Sequence, residues 1–310
     1  MEERNVILSV EHMMISFTQY ERGWRQRELS VIRDLNIKVG EGEVVAVAGS
    51  SGSGKSLLAH GVMGLLPRNA SCRGTVSLDG EVLTQRRKEE IRGAKMVLVP
   101  QSVSYLDPLM KVGDQVRKGR RDKDSVSRCR ETLGRYGLTE DTERLYPFEL
   151  SGGMTRRVLI STAVMERPRL VIADEPTPGL HISAARRVLS HFREIADEGA
   201  GVLLITHDLE LALEIADRIV VFYAGTNVEE ARACDFSEEE KLRHPYTRAL
   251  FRAMPCHGFK AVLGTQPYAA DMPEGCPYGP RCPDWDEGCL EEIPYRSFRD
   301  GMVKCRKAGV

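Results

Sequence analysis

The fold of this chain is decided by residues 44–59, which read VVAVAGSSGSGKSLLA. The β-branched run 44–48 predicts a strand, and the apolar segment after Lys55 predicts a helix. Between them, the pattern Gly, four residues, Gly-Lys-Ser is typical of a phosphate-binding loop, because its glycines let successive backbone N–H groups point at an anion. The Lys55 ammonium can reach phosphates, and the Ser56 hydroxyl can ligate Mg²⁺. The predicted nucleotide-binding residues are Gly49, Ser50, Gly52, Ser53, Gly54, Lys55, Ser56 and Leu57.

The overall composition shows no strong charge bias. The 310 residues include 44 Lys and Arg against 45 Asp and Glu, which argues against nucleic acid as the main partner. The N-terminus lacks the layout of a secretory signal, and no apolar run approaches the ~18 residues of a membrane span. We therefore expect a cytosolic chain that meets a membrane only through a partner.

The order of predicted elements indicates the fold class. Strands alternating with helices predict an α/β fold with a mainly parallel sheet and helices on both faces. The charge-dense stretch from about 102 to 167 has helical periodicity and is predicted to form a helical subdomain. Strands are predicted at 6–17, 31–39, 95–99, 169–174, 202–206 and 218–223, a hairpin at 74–83, and helices at 124–136, 156–166 and 182–198.

Three polar side chains follow predicted strands. Asp174 and Glu175 come directly after an apolar strand, where the first carboxylate can hold Mg²⁺ and the second can accept a proton from an attacking water. His207 ends the strand 202–206, at the edge where open α/β sheets bind ligands, so we expect it to contact the γ-phosphate.

Two further features are candidates for nucleotide contact. The segment 150–154, Leu-Ser-Gly-Gly-Met, places a serine and two glycines at a helix start, an arrangement that binds anions but also occurs as an ordinary cap. In the polar segment 18–30, Tyr20 or Trp24 could stack on the base, although exposed loop aromatics are common.

Taken in this order, the 49–56 loop, Gln101, the 150–154 segment, Leu-Val-Ile-Ala-Asp-Glu-Pro-Thr at 170–177 and His207 resemble the nucleotide-binding subunit of an ATP-binding cassette (ABC) transporter. The stretches 243–250 and 275–282 look like the C-terminal extension of ATPases from dipeptide, oligopeptide and nickel importers. Met154, in place of the commoner glutamine, also resembles one subunit of that group. The resemblance implies a P-loop cassette with an antiparallel β subdomain. It divides the chain into a nucleotide-binding domain, 1–235, and an extension, 236–310.

The resemblance also implies a mechanism. Two such domains would close face to face, with Ser151, Gly152 and Gly153 of one domain contacting the ATP held by the other. Within one domain, Lys55, Gln101, Glu175 and His207 would be catalytic, and Ser56, Gln101 and Asp174 would serve Mg²⁺. The implied partners are a second, non-identical ATPase, two membrane permeases and an extracytoplasmic binding protein, with the chain at the cytoplasmic face of the membrane.

Three departures from the family pattern affect these expectations. Gly179-Leu180-His181 replaces the usual Ala-Leu-Asp, whose aspartate helps to couple two sites. Arg156 stands where glutamine is usual, and the region 108–136 seems shorter than in many relatives. These differences favour a heterodimer with unequal sites.

Four of the eight cysteines lie in a Pro- and Gly-rich tail: Cys276, Cys282, Cys289 and Cys305. Four thiolates suit zinc or an iron–sulfur cluster. The spacing is unlike common zinc knuckles, and the resembled importers include members with a [4Fe-4S] cluster, so a cluster is favoured over Zn²⁺, with no metal as a third possibility.

We therefore expect an ATPase that uses ATP and Mg²⁺ to drive import of peptides, nickel or a metal chelate. The alternative is a soluble ABC ATPase of DNA repair or translation. Such proteins usually carry two cassettes or long coiled-coil insertions, which this sequence does not show.

Overall fold

The computed structural model of the chain describes residues 4–20 and 24–308, so the first three residues of the N-terminus considered above lie outside it. Among the described residues, the strands are β1 Val6–Tyr20, β2 Gln26–Gly40, β3 Val44–Ala48, β4 Ala70–Leu78, β5 Glu81–Val82, β6 Met96–Val99, β7 Leu170–Asp174, β8 Gly201–Thr206, β9 Arg218–Tyr223, β10 Thr226–Arg232, β11 Arg296–Phe298 and β12 Gly301–Val303. The α-helices are α1 Lys55–Met63, α2 Gln85–Ile91, α3 Val112–Val116, α4 Lys123–Arg135, α5 Gly152–Val164, α6 Ile182–Asp197, α7 Leu209–Leu213 and α8 Pro245–Ala253.

The central sheet has eight strands in the order β11-β12-β10-β9-β3-β8-β7-β6. Its five strands from β9 to β6 are parallel, whereas β10, β12 and β11 extend one edge in antiparallel pairing. Parallel strands end at the same edge, so the segments that follow β3, β6, β7 and β8 are neighbours. The α/β fold with a mainly parallel sheet is thus confirmed.

The two faces of this sheet are covered differently. Alternate side chains of β3 divide between two apolar clusters, with Ala46 facing one and Val45 and Val47 facing the other. The Ala46 side packs against helices α4 to α8. The sequence had suggested helices on both faces of the sheet. The opposite face instead packs against α1 and a second sheet.

That second sheet is antiparallel, with strand order β2-β1-β4-β5. Its β4–β5 hairpin turns at Asp79 and Gly80, whose φ angles of 49° and 80° are those of a primed turn, as the Asp-Gly pair predicted. The antiparallel β subdomain is present.

The helical part lies between β6 and β7. Helix α5 begins at Gly152, four residues before the predicted start, because Ser151 caps it by accepting a hydrogen bond from the Met154 N–H at 3.4 Å. Across the described ranges, no helix has the length and apolar character needed to cross a bilayer.

The C-terminal extension shares the main core of the chain. Leu242, Tyr246, Phe251 and Tyr278 belong to the same apolar cluster as the helical face of the central sheet. The hairpin β11–β12 pairs with β10 and lengthens that sheet. The sequence did not predict β10 or this hairpin. The rings of Tyr246 and Tyr278 pack against Tyr223, so the extension also lies at the carboxyl end of β9.

Candidate functional site

The phosphate-binding loop predicted from the sequence joins β3 to α1. A Cβ at Gly49 would lie 2.2 Å from the carbonyl oxygen of Phe222, so no side chain fits at the start of the loop. Gly54 has a φ of 101°, which favours glycine just before the helix. Ser53 is buried, and among the described residues its hydroxyl has no hydrogen-bond partner. An orphaned buried hydroxyl in a loop of this shape fits a bound phosphate.

The Lys55 side chain is folded back onto this loop. Its ammonium donates to the carbonyl oxygens of Gly49 and Ser50, each at 2.9 Å. Burial lowers the pKa of Lys55, while the nearby carboxylates of Glu175 and Asp174 act in the opposite direction. The ammonium is therefore held beside the carboxylates and within the loop that would receive phosphate.

Asp174 ends β7 beside the first turn of α1. Its Oδ1 accepts a hydrogen bond from the Ser56 hydroxyl at 3.1 Å. Burial raises the pKa of Asp174, although the Ser56 hydrogen bond opposes this shift. A hydroxyl and a carboxylate are hard oxygen donors, the kind that Mg²⁺ prefers, so this pair fits the expected metal.

The carboxylate of Glu175 is contacted by two of the predicted site residues. Its Oε2 lies 3.2 Å from Gln101 Nε2 and 3.3 Å from His207 Nδ1. Its φ of 44° is unusual for a residue with a side chain, and its N–H donates to Ile205 O at 2.8 Å. Strained backbone held by its surroundings is common at active sites, where it fixes the direction of a side chain.

The Leu-Ser-Gly-Gly-Met segment lies at the start of α5. Ser151 and Gly152 are exposed, and a Cβ at Gly152 or Gly153 would meet nothing within 4 Å. The N-terminus of this 13-residue helix therefore faces open space that another molecule can occupy.

Known transport proteins are similar to this chain over nearly its whole length. The chain is 31% identical over 318 residues to the oligopeptide transport ATP-binding protein OppD of Salmonella typhimurium, covering 97% of this chain and 93% of that protein. It is 34% identical to the dipeptide transport ATP-binding protein DppD of Haemophilus influenzae, covering 96% and 94%. The chain belongs to the ABC transporter family. The family model described as "ABC transporter" matches residues 32–178, and that described as "Oligopeptide/dipeptide transporter, C-terminal region" matches residues 228–289.

Solved ABC cassettes have the same fold. A dimeric bacterial ABC transporter cassette aligns with a TM-score of 0.63 at 25% identity, covering 73% of this chain and 99% of that chain. A post-hydrolysis cassette bound to ADP and Pi aligns with a TM-score of 0.62 at 26% identity and the same coverage. The present ABC subunit is accordingly an ATP-hydrolysing cassette that uses ATP and Mg²⁺.

Arg156, noted above only as a departure from the family pattern, has a defined position in this ABC subunit. The residue is 5% exposed, and its guanidinium donates to the carbonyl oxygens of Pro100 and Gln101 at 3.1 and 2.8 Å. Burial lowers its pKa. The side chain ties α5 to the backbone of the residue that contacts Glu175, a role that only the unusual arginine in the motif could have suggested.

His181, the other substituted position, lies outside this cluster of side chains. It is exposed and caps α6, where its Nδ1 accepts from the Ser183 N–H at 3.5 Å. The two aromatic candidates for base stacking are also exposed, Tyr20 by 69% and Trp24 by 96%. Gln26 donates to the Tyr20 hydroxyl at 3.0 Å, which leaves the tyrosine ring the better anchored of the two.

The structure does not support the predicted metal site in the tail. The backbone N–H of Cys276 donates to Cys289 O at 2.9 Å, so these two segments do meet. Within residues 4–20 and 24–308, however, no group of three or more His, Cys, Asp or Glu side chains is placed to hold a metal ion. The thiols instead fill apolar positions, Cys276 and Cys282 against the main core and Cys305 in a separate small cluster. Burial raises the pKa of Cys282 to about 11. This arrangement of thiols gives no support to the prediction of [4Fe-4S] or Zn²⁺.

Proposed function

We propose that this ABC subunit hydrolyses ATP to drive the import of di- or oligopeptides through partner permeases. The observation that supports the proposal best is the convergence of Gln101 and His207 on one oxygen of Glu175, beside the loop that carries Lys55. The relatives named for oligopeptide and dipeptide transport, matched over nearly the whole chain, support peptides as cargo. The nickel alternative has no such support.

In the proposed reaction, Glu175 is the general base. Its carboxylate would accept a proton from the water that attacks the γ-phosphate, while Gln101 and His207 hold that carboxylate in place. Lys55 would leave the loop carbonyls and move its ammonium onto the β- and γ-phosphates. Ser56 and Asp174 would hold Mg²⁺, which neutralises the charge that develops on the phosphate oxygens.

We propose that the working unit contains two cassettes. The exposed helix start at Ser151, Gly152 and Gly153 offers N–H groups and a positive dipole end to a phosphate on a facing subunit. His181 in place of aspartate favours a non-identical partner, because a symmetric pair would place this histidine at both sites. Such a partner gives two chemically unequal ATP sites.

A groove next to Gln101 is the proposed contact with a permease. It has a volume of about 380 Å³ and lies between α1, β6, α3 and α5, with Leu98, Leu106 and Leu159 among its lining residues. Tyr105, one of its lining residues, is 66% exposed. An apolar groove with an exposed aromatic side chain suits a short amphipathic helix from a membrane subunit. A permease helix bound there would move with the helical subdomain 102–167. We propose that this subdomain is part of a nucleotide-binding domain, 1–235, and that residues 236–310 form the extension.

The experiment is affinity purification of the tagged chain from gently solubilised membranes of its native cell. We expect two multi-span permeases, a second ATPase and, in assays of the complex, ATP hydrolysis stimulated by peptide-loaded extracytoplasmic binding protein. Stimulation by nickel chelates and not by peptides would refute the cargo. Recovery of the chain only from the soluble fraction would refute transport and leave the ATPase assignment in place.

A further inference from the structure

The C-terminal extension reaches the phosphate-binding loop directly. The side-chain oxygen of Gln266 accepts a hydrogen bond from the Ser50 hydroxyl at 2.8 Å and from the Ala224 N–H at 3.3 Å. Gln266 is half-buried and lies in an irregular segment between α8 and Cys276. It therefore joins the loop to the turn that follows β9.

Tyr246, in α8, contacts the same serine. Burial raises the pKa of Tyr246, and hydrogen bonding with the side chain and the backbone N–H of Ser50 opposes that shift. Its ring packs against Tyr223 and Tyr278 with centroid distances of 4.4 and 5.3 Å. Two residues of the extension thus hold Ser50, and one of them is anchored in a buried aromatic cluster.

Ser50 is also bonded to the catalytic lysine. Its carbonyl oxygen accepts from Lys55 Nζ at 2.9 Å, while its hydroxyl donates to Gln266. The side chain of Ser50 therefore contacts the extension, and its backbone carbonyl contacts the Lys55 ammonium. A shift of Ser50 would displace the carbonyl on which Lys55 rests.

We propose that Gln266 and Tyr246 are positioning residues for the phosphate-binding loop, so that the C-terminal extension preorganises the site for ATP. A loop rich in glycine and serine loses backbone freedom when it closes on phosphate. Hydrogen bonds from the extension supply part of that order before the nucleotide arrives, and preorganisation of this kind raises affinity. The extension acts through Ser50 and Lys55 and does not itself touch the nucleotide.

A purely structural role for these contacts predicts different behaviour. If Gln266 only fastened the extension to the domain, its loss would lower the melting temperature and leave nucleotide affinity unchanged. Tyr268, two residues away and 61% exposed, provides the matched control, because Tyr268→Ala alters the same segment without removing a hydrogen bond to Ser50.

The test titrates the full-length chain with AMP-PNP and Mg²⁺, and measures thermal melting alongside. One lost hydrogen bond corresponds to a rise in Kd of about threefold to tenfold, which we expect for Gln266→Leu and for Tyr246→Phe. Tyr268→Ala should remain within about twofold of wild type. Ser50→Ala removes the hydroxyl that bonds to Gln266. The double variant Ser50→Ala/Gln266→Leu should therefore bind AMP-PNP no more weakly than Ser50→Ala alone.

Two results would overturn the proposal. One is a Kd for Gln266→Leu within about twofold of wild type, whatever its melting temperature. The other is additive losses in the double variant, since independent effects would mean that Gln266 does not act through Ser50. If Gln266→Leu fails to fold, Ser50→Ala and Tyr246→Phe decide the question by the same criterion.

Discussion

Replacing Arg243 by methionine should destabilise the chain more than any surface substitution. The Arg243 guanidinium is almost fully buried and donates to Glu229 Oε1 at 3.2 Å and to Asp235 Oδ2 at 3.1 Å. It also donates to Phe298 O at 2.7 Å and to Arg299 O, and so ties the β11–β12 hairpin to β10. Methionine has similar length but no charge and no donor.

The magnitude follows from what the substitution leaves behind. Asp235 would keep its 3.1 Å ion pair with Arg232, whereas Glu229 would lose its cation. Burial already raises the pKa of Glu229, although backbone N–H groups of His244 and Arg243 stabilise the carboxylate. Breaking a buried pair on one side costs about 3–5 kcal/mol. At about 2.1 cal/mol/K per residue for this chain, that corresponds to a fall in melting temperature of about 5–8 °C.

Differential scanning calorimetry at neutral pH measures this effect. Arg252→Met is the matched control, because Arg252 is half exposed and pairs with Glu239 at the surface, where ion pairs contribute about 0–1 kcal/mol. The double variant Arg243→Met/Glu229→Gln removes the orphaned charge and should recover part of the loss. A single variant that melts within 2 °C of wild type, a value below the ~5 °C minimum estimated above, would refute the reasoning. So would a double variant no more stable than the single one.

Three further predictions concern catalysis and pH. Glu175→Gln should retain ATP binding and lose hydrolysis by several powers of ten in phosphate-release assays, and unchanged turnover would exclude Glu175 as the base. Arg156→Met should lower kcat about tenfold, because the carbonyl oxygens of Gln101 and its neighbour lose their donor, whereas Arg156→Gln should retain most activity; equal kcat for both variants would contradict this. Burial, with the positive charge of Arg248, lowers the pKa of His244 to about 3, although its backbone N–H donates to the Glu229 carboxylate. Between about pH 6.5 and 3, the unfolded state therefore binds a proton that the folded state does not. The free energy of unfolding should fall by about 1.4 kcal/mol for each pH unit in this range. His244→Asn should flatten this slope in acid denaturation curves.

The grouping of the candidate site residues could be predicted because each of them lies at or follows the end of a strand. Strands β3, β6, β7 and β8 are short apolar runs, and the parallel order places Lys55, Gln101, Asp174 and His207 at one edge. Once the loop at 49–56 fixed the fold class, each polar residue after a strand became a candidate. Glycines were equally informative, because Gly49 stands where a Cβ would strike Phe222 O.

The tail could not be foreseen in the same way. Four cysteines within 30 residues suggested a metal, yet spacing alone does not show whether thiols face one another or fill an apolar core. The C-terminal hairpin has only three residues in each strand, too few for an alternating pattern to be recognised. Its position depends on pairing with β10, a long-range contact that the local sequence does not encode.

The buried polar residues of the extension show where reasoning from local sequence reaches its limit. Arg243, His244 and Glu229 read as surface residues, because charged and polar side chains are seldom fully buried unless paired. Their burial is tolerated only because distant segments supply hydrogen-bond or ion-pair partners, such as the β11–β12 hairpin for Arg243. The same holds for Ser50, whose hydroxyl meets Gln266 across 216 positions of sequence. Residues that join the extension to the cassette are thus those that look least informative in sequence, and substitutions at them will test whether the extension helps to shape the nucleotide site.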